Sequence, residues 1–100
     1  GLDEVVAPQR SMGAIGADPR PLVTVTYFAA LADRAGCRRE TLELAEATVG
    51  GLRAAVGRRH GPEVEELARL SSVLTGDDMV REDGAAIGTE VDLLPPFAGG

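Results

Sequence analysis

Apolar and polar residues alternate from Val23 to Phe28, with Val23, Val25 and Tyr27 on one face and Thr24, Thr26 and Phe28 on the other. That period of two predicts a half-buried strand. A short helical piece from Ala29 to Ala35 stops at Gly36, and Thr41-Leu42-Glu43-Leu44 alternates again as a second strand. Thr48 is placed to cap a helix that carries Val49, Leu52 and Val56 on one side and ends near Gly61-Pro62. A further helical turn or two brings Val64, Leu67 and Ala68 inward. Ser72 to Thr75 and Met79-Val80 then bracket Gly76-Asp77-Asp78, a hairpin signal, and Val91 to Leu94 reads as the last strand. Periodicity alone therefore predicts an α+β domain.

Composition narrows this picture. One hundred residues suffice for a single core, and a hydrophobic fraction of 44% with only 3% aromatics implies that the core is built of Val, Leu and Ala. No run approaches the roughly 20 apolar residues of a membrane span, and no charged start followed by an apolar stretch marks a signal peptide, so a soluble, cytoplasmic protein with no membrane partner is expected. A net charge of −6 argues against nucleic acid, whose phosphates need clustered cations, and suits encounter with a basic protein surface. The 10 basic residues are all arginine. A modifier that builds chains on its own lysines is thereby excluded, whereas attachment to lysines of other proteins is not.

Residues 1–20 lack periodicity and contain Pro8 and Pro19, so they read as a flexible lead-in, either a native extension or a cloning remnant ahead of a start at Met12. Residues 21–94 are the expected domain, and residues 95–100 a tail. The sequence closes on Leu94-Pro95-Pro96-Phe97-Ala98-Gly99-Gly100. Pro95 and Pro96 fix φ and push the residue before each toward extended geometry, so the tail is expected to leave the domain in a stiff, directed way. Two glycines without Cβ atoms can follow a passage too narrow for side chains. The segment Pro95 to Gly100, at roughly 3.3 Å per residue, could project about 20 Å into a partner.

Other chemistry in the chain reads as structural. Cys37 is the only cysteine, so it forms no intrachain disulfide. Arg38 and Arg39 beside it could lower its pKa, as a persulfide carrier would need, but no base or second thiol lies nearby in sequence, so a loop cysteine without a role is the expectation. His60 at a helix end suits the helix dipole, and one His with one Cys excludes a closed zinc site, so no metal is expected. Glu63, Glu65 and Glu66 fit the start of a helix, and Asp77-Asp78 fit a turn. Gly50-Gly51 lacks the lysine and spacing of a phosphate loop.

Val91 to Gly100 resembles the C-terminus of the MoaD and ThiS family of ubiquitin-like sulfur carriers, with the double proline most like the MoaD branch. Val23-Thr24-Val25-Thr26-Tyr27-Phe28-Ala29-Ala30-Leu31-Ala32-Asp33-Arg34-Ala35-Gly36 resembles that family's first strand and short helix, and Gly88-Thr89-Glu90-Val91 its Gly-Asp-Glu-Val turn. The resemblance spans residues 22–100. It implies a β-grasp (ubiquitin-like) fold, a mixed four- to five-stranded sheet packed on one main helix. It also implies that the chain is not catalytic alone but is the sulfur-donating subunit of molybdopterin synthase, with Gly100 adenylated and converted to a thiocarboxylate for molybdenum cofactor biosynthesis.

On this reading Ala98 and Gly99 give slim passage, and Pro95, Pro96 and Phe97 direct and anchor the tail. Phe28 and Leu94 are candidates for partner docking, Phe28 being also a candidate for ordinary core. The implied partners are the MoaE-like large synthase subunit, a MoeB-like E1-type adenylating enzyme and a sulfurtransferase. No cofactor is bound tightly, ATP being used by the activating enzyme. The alternatives are a carrier for thiamine or cysteine biosynthesis, a ubiquitin-like protein modifier or a passive interaction domain. Ala32 stands where family members often carry a basic residue, and Met79 to Ile87 does not align.

Overall fold

A computed structural model describes residues 20–96 of the chain. The elements run β1 (Leu22–Tyr27), α1 (Ala30–Ala35), β2 (Arg39–Glu43), α2 (Val49–His60), α3 (Pro62–Arg69), β3 (Ser72–Thr75), β4 (Asp78–Val80) and β5 (Glu90–Leu94). The expected elements form within a residue or two of their predicted bounds, the second strand opening at Arg39 rather than Thr41. Residues 1–19 of the lead-in lie outside the described residues, as do Phe97, Ala98, Gly99 and Gly100.

The strands form one five-stranded sheet in the order β2-β1-β5-β3-β4. β5 runs parallel to β1, with Val25 opposite Val91 and Tyr27 opposite Leu93, and every other neighbouring pair is antiparallel. This is a β-grasp. The last strand to form in sequence therefore occupies the middle of the sheet, where both of its edges are paired, and the chain beyond Leu94 departs from the most firmly held strand.

Side-chain alternation decides which face the helices cover. Val23, Val25 and Tyr27 of β1, Val73 of β3 and Val91 and Leu93 of β5 meet Val49, Leu52 and Val56 of α2 and Val64 and Ala68 of α3 in a single buried cluster. Each such aliphatic side chain contributes about 1.5–3 kcal/mol through removal from water. Thr48 caps α2 as its sequence position predicts, its Oγ1 accepting from the Gly51 amide at 3.0 Å. Gly51 serves packing rather than phosphate binding, since a Cβ there would lie 2.1 Å from the Glu46 carbonyl oxygen. Gly61, at φ 101°, and Pro62 break α2 from α3, glycine tolerating a backbone that side chains resist and proline fitting a first helical turn. The hairpin between β3 and β4 closes with the two residues Gly76 and Asp77, with Gly76 at φ 60° as a type II′ turn requires.

Arg53 was missed by the reading of the apolar stripe. It is 8% exposed, and its guanidinium donates to the carbonyls of Ala68, Ser71 and Arg81 and to Asp83 Oδ1 at 2.8–3.1 Å. One side chain thus ties α2 to the end of α3 and to the segment after β4. The signal was present, because position 53 follows Val49 by four and Leu52 by one, inside the stripe that faces the core.

Candidate functional site

The root of the tail is set by β5. Leu93 is buried and its carbonyl accepts from the Phe28 amide at 3.3 Å, which extends the parallel β1–β5 pairing one step past the strand ends. Phe28 and Leu94 therefore come together at the same end of the sheet. Leu94 is half-buried and paired with Ser72, whereas the Phe28 side chain is 39% exposed, which overturns the core reading of Phe28. Pro95 is buried and Pro96 exposed, so the chain clears the domain surface at Pro96.

Local backbone geometry aims Phe28. Ala29, the next residue, has φ 54° and ψ −129°, a conformation that a Cβ disfavours, and it turns the chain sharply from β1 into α1. Helix α1, too short to persist alone, is held by buried Leu31 and by Gly36, whose left-handed cap donates to the Ala32 carbonyl at 3.0 Å. A surface hollow beside the tail root is lined by Phe28, Ala29, Ala32, Asp33 and Arg38. Ala32 offers no cation there, but Arg38 also lines the hollow. Glu63 and Glu65 lie in the first turn of α3 as expected, and Glu65 also pairs with Arg69 at 3.0 Å.

For Cys37 the structure removes the lowered pKa that Arg38 and Arg39 could have given it. Burial and then the Glu40 carboxylate push the thiol up from its ordinary value, and these outweigh the opposing charge of Arg59 and a backbone hydrogen bond from Arg39. A base does lie near it in space. His60, the last residue of α2, is hydrogen-bonded through Nε2 to Glu40 Oε2 at 2.5 Å, and the Tyr27 hydroxyl donates to the same oxygen at 2.5 Å. The Tyr27 and His60 rings meet edge to face, 5.8 Å between centroids. Burial drives the Tyr27 hydroxyl strongly upward, helped by Glu40. No linear pattern announced this cluster, because its members come from β1, the α1–β2 connection, β2 and the end of α2.

Comparison with known proteins places this geometry. The ThiS family profile matches residues 25–100, three quarters of the sequence and all of the sheet except the first three residues of β1. The chain belongs to the ThiS family. Among solved structures, SAMP1 from Haloferax volcanii is 26% identical, with a TM-score of 0.60 over 79% of this chain and 99% of that one. A second structure of H. volcanii small archaeal modifier protein 1 is also 26% identical, with a TM-score of 0.56 over 76% and 98%. A Pyrococcus furiosus protein provisionally named molybdopterin converting factor, subunit 1 shares the fold at 24% identity and a TM-score of 0.57, over 76% and 98%. No curated protein matches the sequence. ThiS-family membership agrees with the mixed five-stranded sheet and central β5, the arrangement of a ubiquitin-like sulfur carrier. Among the described residues no helix is long and apolar enough to cross a membrane.

Proposed function

We propose that this chain is a sulfur carrier whose Gly100 carboxylate is activated and converted to a thiocarboxylate, and that its acceptor is the cyclic pterin precursor of molybdopterin. The observation that carries the reading is the ThiS-family match, which runs to Gly100. A terminal carboxyl group, with an ordinary pKa near 3.5, is ionised at neutral pH and resists nucleophiles. An E1-type adenylating partner overcomes this by letting the carboxylate oxygen attack the α-phosphorus of ATP, with pyrophosphate leaving. The terminal sulfur of a sulfurtransferase persulfide then attacks the acyl carbon, AMP departs with the original oxygen, and a thiol reductant cleaves the resulting acyl disulfide, releasing the sulfurtransferase thiol. Sulfur remains on Gly100.

The geometry of the domain suits this task. Pro95 is buried and Pro96 exposed, and a stretch of five residues, if fully extended at roughly 3.3 Å each, could span about 16 Å. Phe28 and Leu94 at the tail root form the docking point, and the large synthase subunit supplies the catalytic side chains, so this chain is not an enzyme by itself. The double proline before Phe97, which resembles the MoaD branch, favours the pterin over thiamine or cysteine biosynthesis. Offering the thiocarboxylated protein to the large subunit with the pterin precursor tests the pathway. Molybdopterin is the expected product, and its absence moves the assignment to the other carriers.

A second reading is favoured by the 26% identity with a protein named small archaeal modifier protein 1. In that reading activated Gly100 is transferred to lysines of other proteins. Adducts joined through Gly100 in a reaction with ATP, the activating enzyme and candidate acceptor proteins would support it.

A further inference from the structure

The Tyr27–Glu40–His60 contacts have no part in the tail chemistry, and a thiol completes them. One ligand atom from each of Cys37, Glu40 and His60 lies within 4.8 Å of the other two, the only such trio of metal-ligating side chains among the described residues. We propose that Cys37, Glu40 and His60 form a binding site for a divalent, borderline-soft transition-metal ion of the zinc class, with the fourth position left to water.

The donor set fits that ion. Thiolate, imidazole and carboxylate together select zinc-like cations over magnesium or calcium, which prefer oxygen alone. Zinc holds nitrogen and oxygen at about 2.0–2.2 Å, which sets tetrahedral neighbours roughly 3.3 Å apart. The His60 Nε2 to Glu40 Oε2 separation of 2.5 Å would therefore open by less than about 1 Å, with the ion replacing the bridging proton. The thiol proton of Cys37 also leaves to solvent as the thiolate binds.

The surroundings supply what such a site needs. The Tyr27 hydroxyl already holds Glu40 in place, the outer support that orients a ligating carboxylate. His60 ends α2, a helix of 12 residues, where the partial negative charge of free carbonyls favours a cation. Glu40 and His60 side chains are mostly withdrawn from solvent, at 14% and 11% exposure, yet a surface cleft lined by Arg34, Pro62, Glu63 and Val64 opens onto His60 and gives an entry path. Arg59 opposes the ion from 3.5 Å away on Glu40 Oε1, but its side chain is 66% exposed and free to turn outward. A bound ion would fasten the connection between α1 and β2 to the end of α2.

The test uses the full chain with zinc alone, titrated against a chromophoric chelator, and with cobalt as a spectroscopic stand-in. One ion per chain and a thiolate-to-cobalt charge-transfer band are expected. Cys37→Ser should abolish the band and weaken binding at least ~10-fold, while Tyr27→Phe should keep the band and weaken binding about 10-fold. In the unaltered chain zinc should slow alkylation of Cys37, a readout that stands even if a variant misfolds. A cobalt complex without the thiolate band, or equal alkylation rates with and without zinc, would overturn the proposal.

Discussion

Ala29 and Arg53 show how single residues hold this domain in tension and in register. Ala29 sits at φ 54°, where glycine is at ease and alanine is not, so Ala29→Gly should raise stability by about 1 kcal/mol, read from the denaturant midpoint. A loss on that substitution would mean that the turn after β1 is not strained. Arg53→Met removes the donor shared by the Ala68, Ser71 and Arg81 carbonyls and should cost about 3 kcal/mol in the same measurement. Lysine at 53 should recover little, because an ammonium cannot replace a planar fork that serves several acceptors. Ordinary core positions such as Val25 and Leu52 were legible in the sequence from their spacing. The spacing also put Arg53 in that stripe, but its acceptors were not legible, because they assemble only when α3 and the β4–β5 segment close around it.

At the scale of elements, the end of α2 is clamped to β1 and β2 through Glu40. Burial alone would raise this carboxyl, but the hydrogen bonds with Tyr27 and His60, together with the charges of His60 and Arg59, hold the group below its ordinary value. The folded state accordingly binds fewer protons than the unfolded chain in the acid range. Stability from this group is present above the ordinary glutamate value of about 4.3 and is lost as pH falls through the lower folded value. Glu40→Gln in chelator-treated protein should flatten the fall in melting temperature between about pH 5 and 3, and an unchanged acid limb would remove Glu40 from the account. The strands and helices themselves were readable from periods of 2 and 3.6, the Thr48 cap and the Gly36 and Gly61 stops. Their pairing was not, since nothing in a linear pattern says that β5 inserts between β1 and β3, and only the family resemblance implied it.

For the whole molecule, that insertion is what turns a sequence motif into a device. The central strand leads to Pro95, which stays buried, and the neighbouring end of β1 presents Phe28 beside it, so a docking residue and the tail root share one end of the sheet. Phe28→Asp should weaken binding to the activating enzyme or the large subunit at least ~10-fold, measured by calorimetry, while leaving the melting temperature nearly unchanged. Equal affinity would place the docking surface elsewhere. The tail residues were legible as chemistry from the sequence, and alternation set Phe28 on the outward face with Thr24 and Thr26 while leaving core burial open, a choice its exposure decides. The central claim, that Gly100 carries sulfur, is tested most directly by intact-mass measurement after incubation with ATP, an E1-type enzyme and a sulfide donor. The account predicts replacement of one oxygen by sulfur, lost when Gly100 is deleted, and an unchanged mass under conditions that charge a known carrier would contradict it.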